Sequence, residues 1–434
     1  MTKLNKKNQS PITRSCSNSK RVRTTTSHPA KINLKVDYSV KVLASNVDTL
    51  VITLDTIMEN APTFFSILAE AKALARLNKK DVPVSFKLDK INNEYIFDVK
   101  ATGANGREWI IWNKEYSLAI ANSTTTQAMP NIIVTIRSET LWRKGLYNAI
   151  QFILNFLHQV GAKIQKARIS RLDLCVDALF SDSLWSTKIL DYAVRRATTD
   201  DVRLDNVCIH RSHKKLTGID IGKNKMKVRF YDKVLEIIQK SNKTWLFDIW
   251  NLSEVPKGFK VIRTEFQLRR EILKEIGIDS IDDLFSFIDN AWAYCTVKWL
   301  KFQSHPEKQS HQRKTLPWWE KIQNGFNNCP VGNPLIRAKA ANADKTRLSQ
   351  QILGLMSSFA ALELETGCEI APEDINLLNT FESFRNHLYI NNLVDIEFSK
   401  RVEKKKAKFQ RINNKYVESL EKRKELGLLP DNAA

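Results

Sequence analysis

Three segments of this chain carry acids, cations or a phenol at every second position. The polar members are Arg171, Asp173, Cys175 and Asp177 in the first segment, Arg229, Tyr231 and Lys233 in the second, and Arg263, Glu265 and Gln267 in the third. Because successive side chains of a β-strand point to opposite faces, each segment predicts a strand with one polar face and one mostly apolar face. If the three strands belong to one sheet, their polar faces form a single site and their other faces pack on helices.

These residue types suit chemistry at a phosphate group. Carboxylates cluster where a hard divalent cation needs oxygen ligands, and a metal ion beside arginine and lysine neutralises charge that develops on phosphate. Tyrosine can attack phosphorus and form a covalent intermediate, but its pKa of about 10 makes it a poor nucleophile unless cations or a metal stabilise the phenolate. Arg229 and Lys233 stand two residues on either side of Tyr231 and are placed to do this. Nicking followed by joining fits the set, because a phosphotyrosine bond conserves the free energy of the cut one.

Each segment taken alone also has a purely structural interpretation. Alternating arginine and aspartate is often a solvated strand face with weak ion pairs, and Tyr231 could be a packed surface aromatic residue. Asp177 ends its segment and could cap a turn instead of binding a metal. Cys175 has no histidine at a spacing that would activate it, so we interpret it as a small packing residue. His210 and His213 are interpreted as loop histidines.

The hydrophobic pattern predicts the elements that must position these side chains. Strands are predicted at 47–55, 83–89, 94–100, 107–113, 116–122, 131–137, 167–180 and 260–269, with a hairpin region at 203–235. Helices are predicted at 60–78, 141–160, 183–197 with Asp182 as N-cap, 270–277 and 279–301, and the segment 303–334 is predicted to be a loop. From 340 onward the pattern is helical only, with Pro372 at the start of one helix.

This order of elements predicts an α+β protein. It has an antiparallel-sheet-centred catalytic body with helices packed on one face, and an all-helical C-terminal region. The predicted divisions are a disordered basic arm at 1–36, an N-terminal α+β lobe at 37–160, a catalytic nicking lobe at 161–335, and a helical C-terminal region with a basic tail at 336–434.

The net charge indicates an anionic partner. The 434 residues include 68 Lys and Arg against 47 Asp and Glu, a net charge of +21. Residues 1–36 contribute +9 and residues 400–424 contribute +8, so most of the excess lies in two segments. Such arms suit phosphate contacts that are sensitive to salt and do not read sequence, although a solvated tail that only aids solubility is the alternative.

Several classes of protein are disfavoured. No apolar run approaches the roughly 18 residues of a membrane span, and the N-terminus lacks the apolar core of a secretory signal, so no membrane partner is expected. The six cysteines form no CxxC pair, which favours a reducing, cytoplasmic setting.

The three segments, in this order, resemble the Rep_trans family of replication initiation factors. That family includes rolling-circle initiators of plasmids and phages and related relaxases of integrative conjugative elements. The resemblance is carried by RLDLCVD at 171–177, GIDIGKNKMKVRFYDKVLE at 218–236 and RTEFQLR at 263–269, and it covers about residues 40–320. Where many members have a serine- and arginine-rich run after the second glycine, this chain has Lys223, Asn224 and Lys225, so its hairpin is expected to contact a different origin.

The resemblance implies an enzyme that nicks and joins single-stranded or cruciform origin DNA with Mg²⁺ or Mn²⁺. Tyr231 would be the nucleophile, forming a 5′-phosphotyrosine and freeing a 3′-OH primer, with Arg229 and Lys233 as catalytic cations beside it. The metal ligands would be Asp173, Glu265 and, less directly, Asp177. The residues assigned to DNA binding are Arg171, Arg263, Lys223, Lys225, Trp318 and Trp319. The two tryptophans could stack on unpaired bases or instead pin their loop to the body.

Three functions remain open from the sequence. A rolling-circle replication initiator and a conjugative relaxase need the same cut, and a non-catalytic DNA-binding regulator could use the same scaffold. The presence of Tyr231 together with the carboxylates argues against the regulator. The chain lacks a G-x-x-x-x-G-K-S/T helicase signature, so unwinding would come from a host or element helicase. For the C-terminal helices, formation of a homodimer, DNA binding and helicase recruitment all remain open.

Overall fold

Strands and helices were assigned in a computed structural model that describes residues 40–87, 94–104, 106–126, 129–195, 207–304, 309–339, 345–366, 375–391 and 398–429. The predicted arm at 1–36 and Pro372 lie outside the described residues. The strands are β1 Val40–Met58, β2 Val82–Lys87, β3 Glu94–Val99, β4 Trp109–Trp112, β5 Tyr116–Ile120, β6 Ile132–Ile136, β7 Ala162–Ser181, β8 Ala193–Arg195, β9 Val207–Ser212, β10 Lys215–Lys223, β11 Met226–Asp232, β12 Phe259–Arg269 and β13 Leu300–Phe302.

In the described part of the chain, eleven of these strands form one sheet. Their order is β2-β3-β4-β5-β6-β1-β7-β12-β11-β10-β9, and the paired neighbours are antiparallel. Strands β8 and β13 form a separate pair. The long strands β1 and β7 pair from Val40 opposite Phe180 to Met58 opposite Ala162. Because β1 also pairs with β6, the two lobes predicted on either side of residue 160 share one sheet.

The helices lie mainly between and after these strands. They are α1 Ala61–Asn78, α2 Ser138–Lys144, α3 Leu146–Gln159, α4 Lys233–Glu236, α5 Leu246–Trp250, α6 Arg270–Ile276, α7 Ile281–Ala293, α8 Pro317–Gln323, α9 Lys345–Thr366, α10 Leu377–Ile390 and α11 Phe398–Glu425. The predicted fold class, an antiparallel sheet with helices and a helical C-terminal region, is confirmed. Across the described residues, no helix has the length and apolar character needed to cross a bilayer.

One face of the sheet carries the main hydrophobic core. Leu172 of β7 lies opposite Leu50 of β1, and both are fully buried. On the same core, Phe266 of β12 packs edge-on against Trp292 of α7, with ring centroids 5.4 Å apart. The positions between the polar residues therefore pack on helices, as the alternating pattern predicts.

Three predicted segments differ clearly from the observed structure. The helix predicted at 141–160 is divided into α2 and α3 at Gly145, whose φ of +77° no ordinary helix position has. The helix predicted at 183–197 is wrong in its described part: Thr187–Tyr192 forms a 3₁₀ turn and β8 follows, so Asp182 caps no helix there. The predicted loop at 303–334 contains α8.

Candidate active site

The three alternating segments are β7, β11 and β12, and they lie side by side in the sheet. Arg229 stands opposite Glu265, Tyr231 stands opposite Arg263, and Arg263 stands opposite Asp177 in the strand register. Since directly paired residues project to the same side of an antiparallel sheet, these side chains share one face. We call this the polar face.

Glu265 holds the tyrosine at the centre of the polar face. The Tyr231 hydroxyl donates to Glu265 Oε2 at 2.8 Å, and the Arg229 guanidinium forms an ion pair with Oε1 of the same carboxylate. The Glu265 side chain is only 2% exposed, whereas that of Arg229 is 32% exposed. Burial and the charge of Glu265 raise the pKa of Tyr231 well above its ordinary value. The phenol is therefore protonated at neutral pH, and its hydroxyl donates a hydrogen bond to Glu265.

A second carboxylate and arginine lie next to this group. Arg171 donates to both oxygens of Asp173, with Nε 2.9 Å from Oδ1 and Nη2 2.5 Å from Oδ2. Asp173 is fully buried, while one third of the Arg171 side chain is exposed. Burial raises the pKa of Asp173 to about 6; the hydrogen bonds from Arg171 oppose this shift and the charge of Glu265 adds to it. Arg171 and Arg229 thus each cover a buried carboxylate from the solvent side.

Arg263 is the first correction to the predicted site. Its side chain is fully buried, with Nε 2.6 Å from Asp177 Oδ1, Nη2 2.7 Å from Asp177 Oδ2 and Nη1 2.6 Å from Asp48 Oδ1. The guanidinium also lies 5.4 Å from the centre of the Trp142 ring of α2. Because a buried cation needs paired charges, this arginine is engaged by two carboxylates and does not face a DNA phosphate as predicted.

Asp177 is the second correction. Besides Arg263, its Oδ2 accepts a hydrogen bond of 2.9 Å from Trp250 Nε1 of α5, and its side chain is fully buried. Asp173 and Asp177 are four residues apart on one strand, about 13 Å along the chain, whereas oxygen ligands of one ion stand within about 5 Å of each other. Asp177 therefore does not join Asp173 at a metal ion.

The donor set for a metal ion is thus smaller than the sequence indicates. Among the described residues, no three His, Cys, Asp or Glu side chains are grouped as a metal site. Asp173 and Glu265 remain as neighbouring buried carboxylates on adjacent strands. Two carboxylates fit Mg²⁺, which commonly takes one or two protein ligands and completes its shell with water and phosphate oxygens.

Lys233 is turned inward by the start of α4. Asp232 caps this helix by accepting from the Leu235 amide at 3.0 Å, which begins the helix directly after Tyr231. The Lys233 side chain is buried, and its Nζ lies 2.6 Å from Glu236 Oε2 and 5.5 Å from the centre of the Tyr231 ring. Burial and the charge of Arg263 lower the pKa of Lys233. This lysine supports the tyrosine ring from the buried side.

The residues assigned to DNA outside the strands divide into two groups. Trp318 and Trp319 are 4% and 0% exposed, and Trp319 Nε1 donates to the Thr296 carbonyl at 3.1 Å. The predicted stacking of these tryptophans on DNA bases is therefore wrong. Both rings are packed in the core, where they hold α8, and neither ring face is open to a base. Lys223 and Lys225, by contrast, are exposed at the turn between β10 and β11.

The polar face extends beyond the predicted residues towards the edge strand β9. His210 lies on this strand and not in a loop, with Nε2 3.5 Å from Asp220 Oδ1 of β10. Gly218 separates His210 from Tyr231: a Cβ added there would lie 3.4 Å from Tyr231 Cβ and 3.5 Å from His210 Cδ2. The sequence does contain a signal for this extension. Cys208 and His210 are two positions apart on one strand, Gly218 and Asp220 are two positions apart on the next, and such spacing predicts a shared strand face.

Asp48 is a member of the site that no sequence signal indicates. It lies on β1, outside the three alternating segments, and it accepts hydrogen bonds from Arg263 at 2.6 Å and from Ser138 at 2.8 Å. Cys175 agrees with its interpretation as a packing residue: it is fully buried, and burial raises the pKa of its thiol.

No family model matches the chain, and no curated protein has a matching sequence. The geometry of the polar face therefore carries the functional proposal.

Proposed function

We propose that this protein nicks and rejoins DNA through Tyr231 and thereby initiates rolling-circle replication of the element that encodes it. The observation that carries the proposal is the hydrogen bond between the Tyr231 hydroxyl and Glu265, with the partly exposed Arg229 on the same carboxylate. A nucleophile, a proton acceptor and a cation for phosphate then stand on one strand face, which reaches solvent at Arg229. The net charge of +21 supports DNA as the partner.

The reaction would proceed as a transesterification. Tyr231 Oη attacks the scissile phosphorus while its proton passes to Glu265, and the bond from phosphorus to the 3′-oxygen breaks. The 3′-oxygen takes a proton from solvent and becomes the 3′-OH primer, while a 5′-phosphotyrosine remains on the protein. Attack by a 3′-OH on the phosphotyrosine reverses the sequence and joins the strand.

The exposed arginines account for phosphate binding in this proposal. Arg171 and Arg229 have free solvent-facing surface beside the buried carboxylates, so an incoming phosphate can meet both guanidinium groups. Asp173 and Glu265 would hold Mg²⁺ or Mn²⁺, and the ion would supply positive charge that favours the phenolate and neutralises the phosphate. The reaction would take place in the cytoplasm, with a helicase of the host or the element unwinding the duplex.

Single-stranded oligonucleotides that tile the DNA flanking the gene provide the test. With Mg²⁺ or Mn²⁺, we expect one oligonucleotide to be cut to a product whose 3′-OH a polymerase extends, and we expect cut strands to be joined to a second acceptor. Chelator should abolish both products. Tight, salt-sensitive binding without any cut would instead favour the non-catalytic regulator.

A further inference from the structure

The long helix α11 is strongly basic, and most of its positive charge lies on one side. Lys404, Lys408, Arg411 and Lys415 follow each other at helical spacing and are all exposed, so they form one row about 17 Å long. We call these four residues the basic row. On a helical projection, the apolar side chains of α11 lie about 130° away from this row. Lys406 and Lys424 lie with Glu403 and Glu421 on the far flank, and Glu418 lies beside the row.

The apolar side of α11 becomes more buried towards its C-terminal end. Phe398 is 68% exposed, Val402 46% and Phe409 37%, whereas Ile412, Tyr416 and Leu420 are partly buried and Val417 alone is 52% exposed. Arg423, close to the C-terminal end, is only 4% exposed. The Arg423 guanidinium donates to the Ile336 carbonyl at 2.8 Å and also to the Glu275 carbonyl. The helix is therefore anchored to the body at one end, through the side that does not carry the basic row.

The anchor lies at the end of the sheet where β12 ends and the β10–β11 hairpin turns. Glu275 belongs to α6, which begins where β12 ends, and β12 carries Glu265. The same Glu275 side chain lies 3.9 Å from Lys225 at the tip of the β10–β11 hairpin. Arg269, at this end of β12, stands opposite Arg171 of the polar face. One end of the sheet therefore holds the C-terminal part of α11, the hairpin residues Lys223 and Lys225, and the exposed Arg171 and Arg229.

We propose that the basic row of α11 binds double-stranded DNA through its phosphate backbone beside the nicking site, an inference that rests on the proposed function. A straight helix holds its charges at fixed spacing, which suits a rigid duplex. A flexible single strand is usually held by aromatic platforms, and the basic row contains none. A helix lying on a membrane carries net positive charge on both flanks of its apolar side, whereas the far flank of α11 pairs Lys406 with Glu403 at 3.9 Å and has as many acids as cations.

The test compares two variants of the full-length chain that lose equal charge. One replaces the basic row, K404Q/K408Q/R411Q/K415Q, and the control replaces four exposed lysines elsewhere, K80Q/K163Q/K166Q/K257Q. Binding to a random 30-bp duplex is measured by fluorescence anisotropy over a range of salt concentrations, after melting curves show that both variants are folded. We expect the slope of log K against log salt to fall by about 3–4 for the basic-row variant and by less than about 1 for the control.

The outcomes separate this inference from the proposed function. Equal slopes for the two variants would overturn the role of the basic row, whether or not the wild type nicks DNA. A slope change confined to the basic-row variant supports it even if no oligonucleotide is cut. The same variants are tested on vesicles with 30% phosphatidylserine, where loss of vesicle binding with unchanged duplex binding would reassign the row to a membrane surface and refute the proposal.

Discussion

At the scale of single residues, the position of Tyr231 depends on Glu265. This carboxylate accepts from the phenol at 2.8 Å with one oxygen and pairs with Arg229 through the other. Burial and Glu265 raise the pKa of the phenol, so the free protein protects Tyr231 from ionising. A cation that binds together with the DNA phosphate must therefore offset the charge of Glu265 before attack, which ties activation of the nucleophile to substrate binding.

Asp48 gives a stability prediction at the same scale. Burial opposes ionisation of Asp48, but the charges of Arg263, Lys243 and Lys233 and the hydrogen bond from Ser138 together outweigh it and lower the pKa of Asp48 below its ordinary value. Replacing Asp48 with Asn removes one of the two carboxylates that neutralise a buried guanidinium. We expect D48N to lower the free energy of unfolding by about 3 kcal/mol near pH 7, measured by urea denaturation.

The pH dependence of this difference has a defined sign. Because the folded pKa lies below the unfolded value, ionised Asp48 stabilises the fold above about pH 4, and this contribution is lost as the pH falls towards the folded pKa. The gap between wild type and D48N should therefore shrink below about pH 4. D182N, which changes an exposed aspartate, is the control, and its free energy of unfolding should differ little from that of wild type at any pH. A gap for D48N that is independent of pH would contradict this account.

The site could be predicted from sequence only in part. Alternation places Arg171, Asp173, Arg229, Tyr231 and Glu265 on strand faces, and the structure brings those faces together. The same alternation cannot distinguish these residues from Arg263 and Asp177, because the difference lies in what covers them. Trp142 and Trp250 come from helices distant in the chain, and they close one end of the polar face.

At the scale of elements, Gly145 sets the direction of two helices. It combines φ +77° with ψ 160° between α2 and α3, a region of backbone space that is essentially restricted to glycine. We expect G145A to lower the free energy of unfolding by about 1–3 kcal/mol, although alanine favours helices, because a continuous helix would displace Ser138 and Trp142 from Asp48.

Gly354 provides the matched control for this prediction. It lies inside α9, and a Cβ there would meet no atom within 4 Å. G354A should therefore raise the free energy of unfolding by about 0.5–1 kcal/mol. Urea denaturation of both variants measures the two signs. Stabilisation by both substitutions would show that α2 and α3 tolerate one continuous helix.

Local pattern predicts most elements, and tertiary contacts explain the errors. The segment 183–197 has helical spacing, but its apolar residues Leu184, Trp185 and Ile189 are buried in the main core, and Trp185 Nε1 donates to the Leu216 carbonyl at 3.2 Å. This packing outweighs a weak helical preference. In α8 the missed signal was Pro317, since proline is favoured at the first helical position.

At the scale of the whole molecule, one sheet connects all the described strands of the proposed site. Strand β1 supplies Asp48, β7 supplies Asp173 and Asp177, and β12 supplies Glu265 through direct pairing. The register of this sheet, with strands paired over long sequence separations, was not available from periodicity, which assigns faces but not neighbours. Substrate would approach the end of the polar face where Arg171 and Arg229 are exposed, away from the end that α2 and α5 cover.

The most direct test of the account is whether Tyr231 becomes covalently attached to DNA. The cleavable oligonucleotide is labelled downstream of the cleavage site, in the fragment whose 5′-phosphate would become attached to tyrosine. It is incubated with wild type, Y231F and Y116F in the presence of Mn²⁺, and the mixture is then denatured. Tyr116 is fully buried in the core with its hydroxyl on the Ala149 carbonyl, so Y116F controls for the loss of a phenol. We expect a denaturant-resistant adduct for wild type and Y116F, absent for Y231F, with the label on the peptide containing Tyr231. An adduct of undiminished yield with Y231F would contradict it.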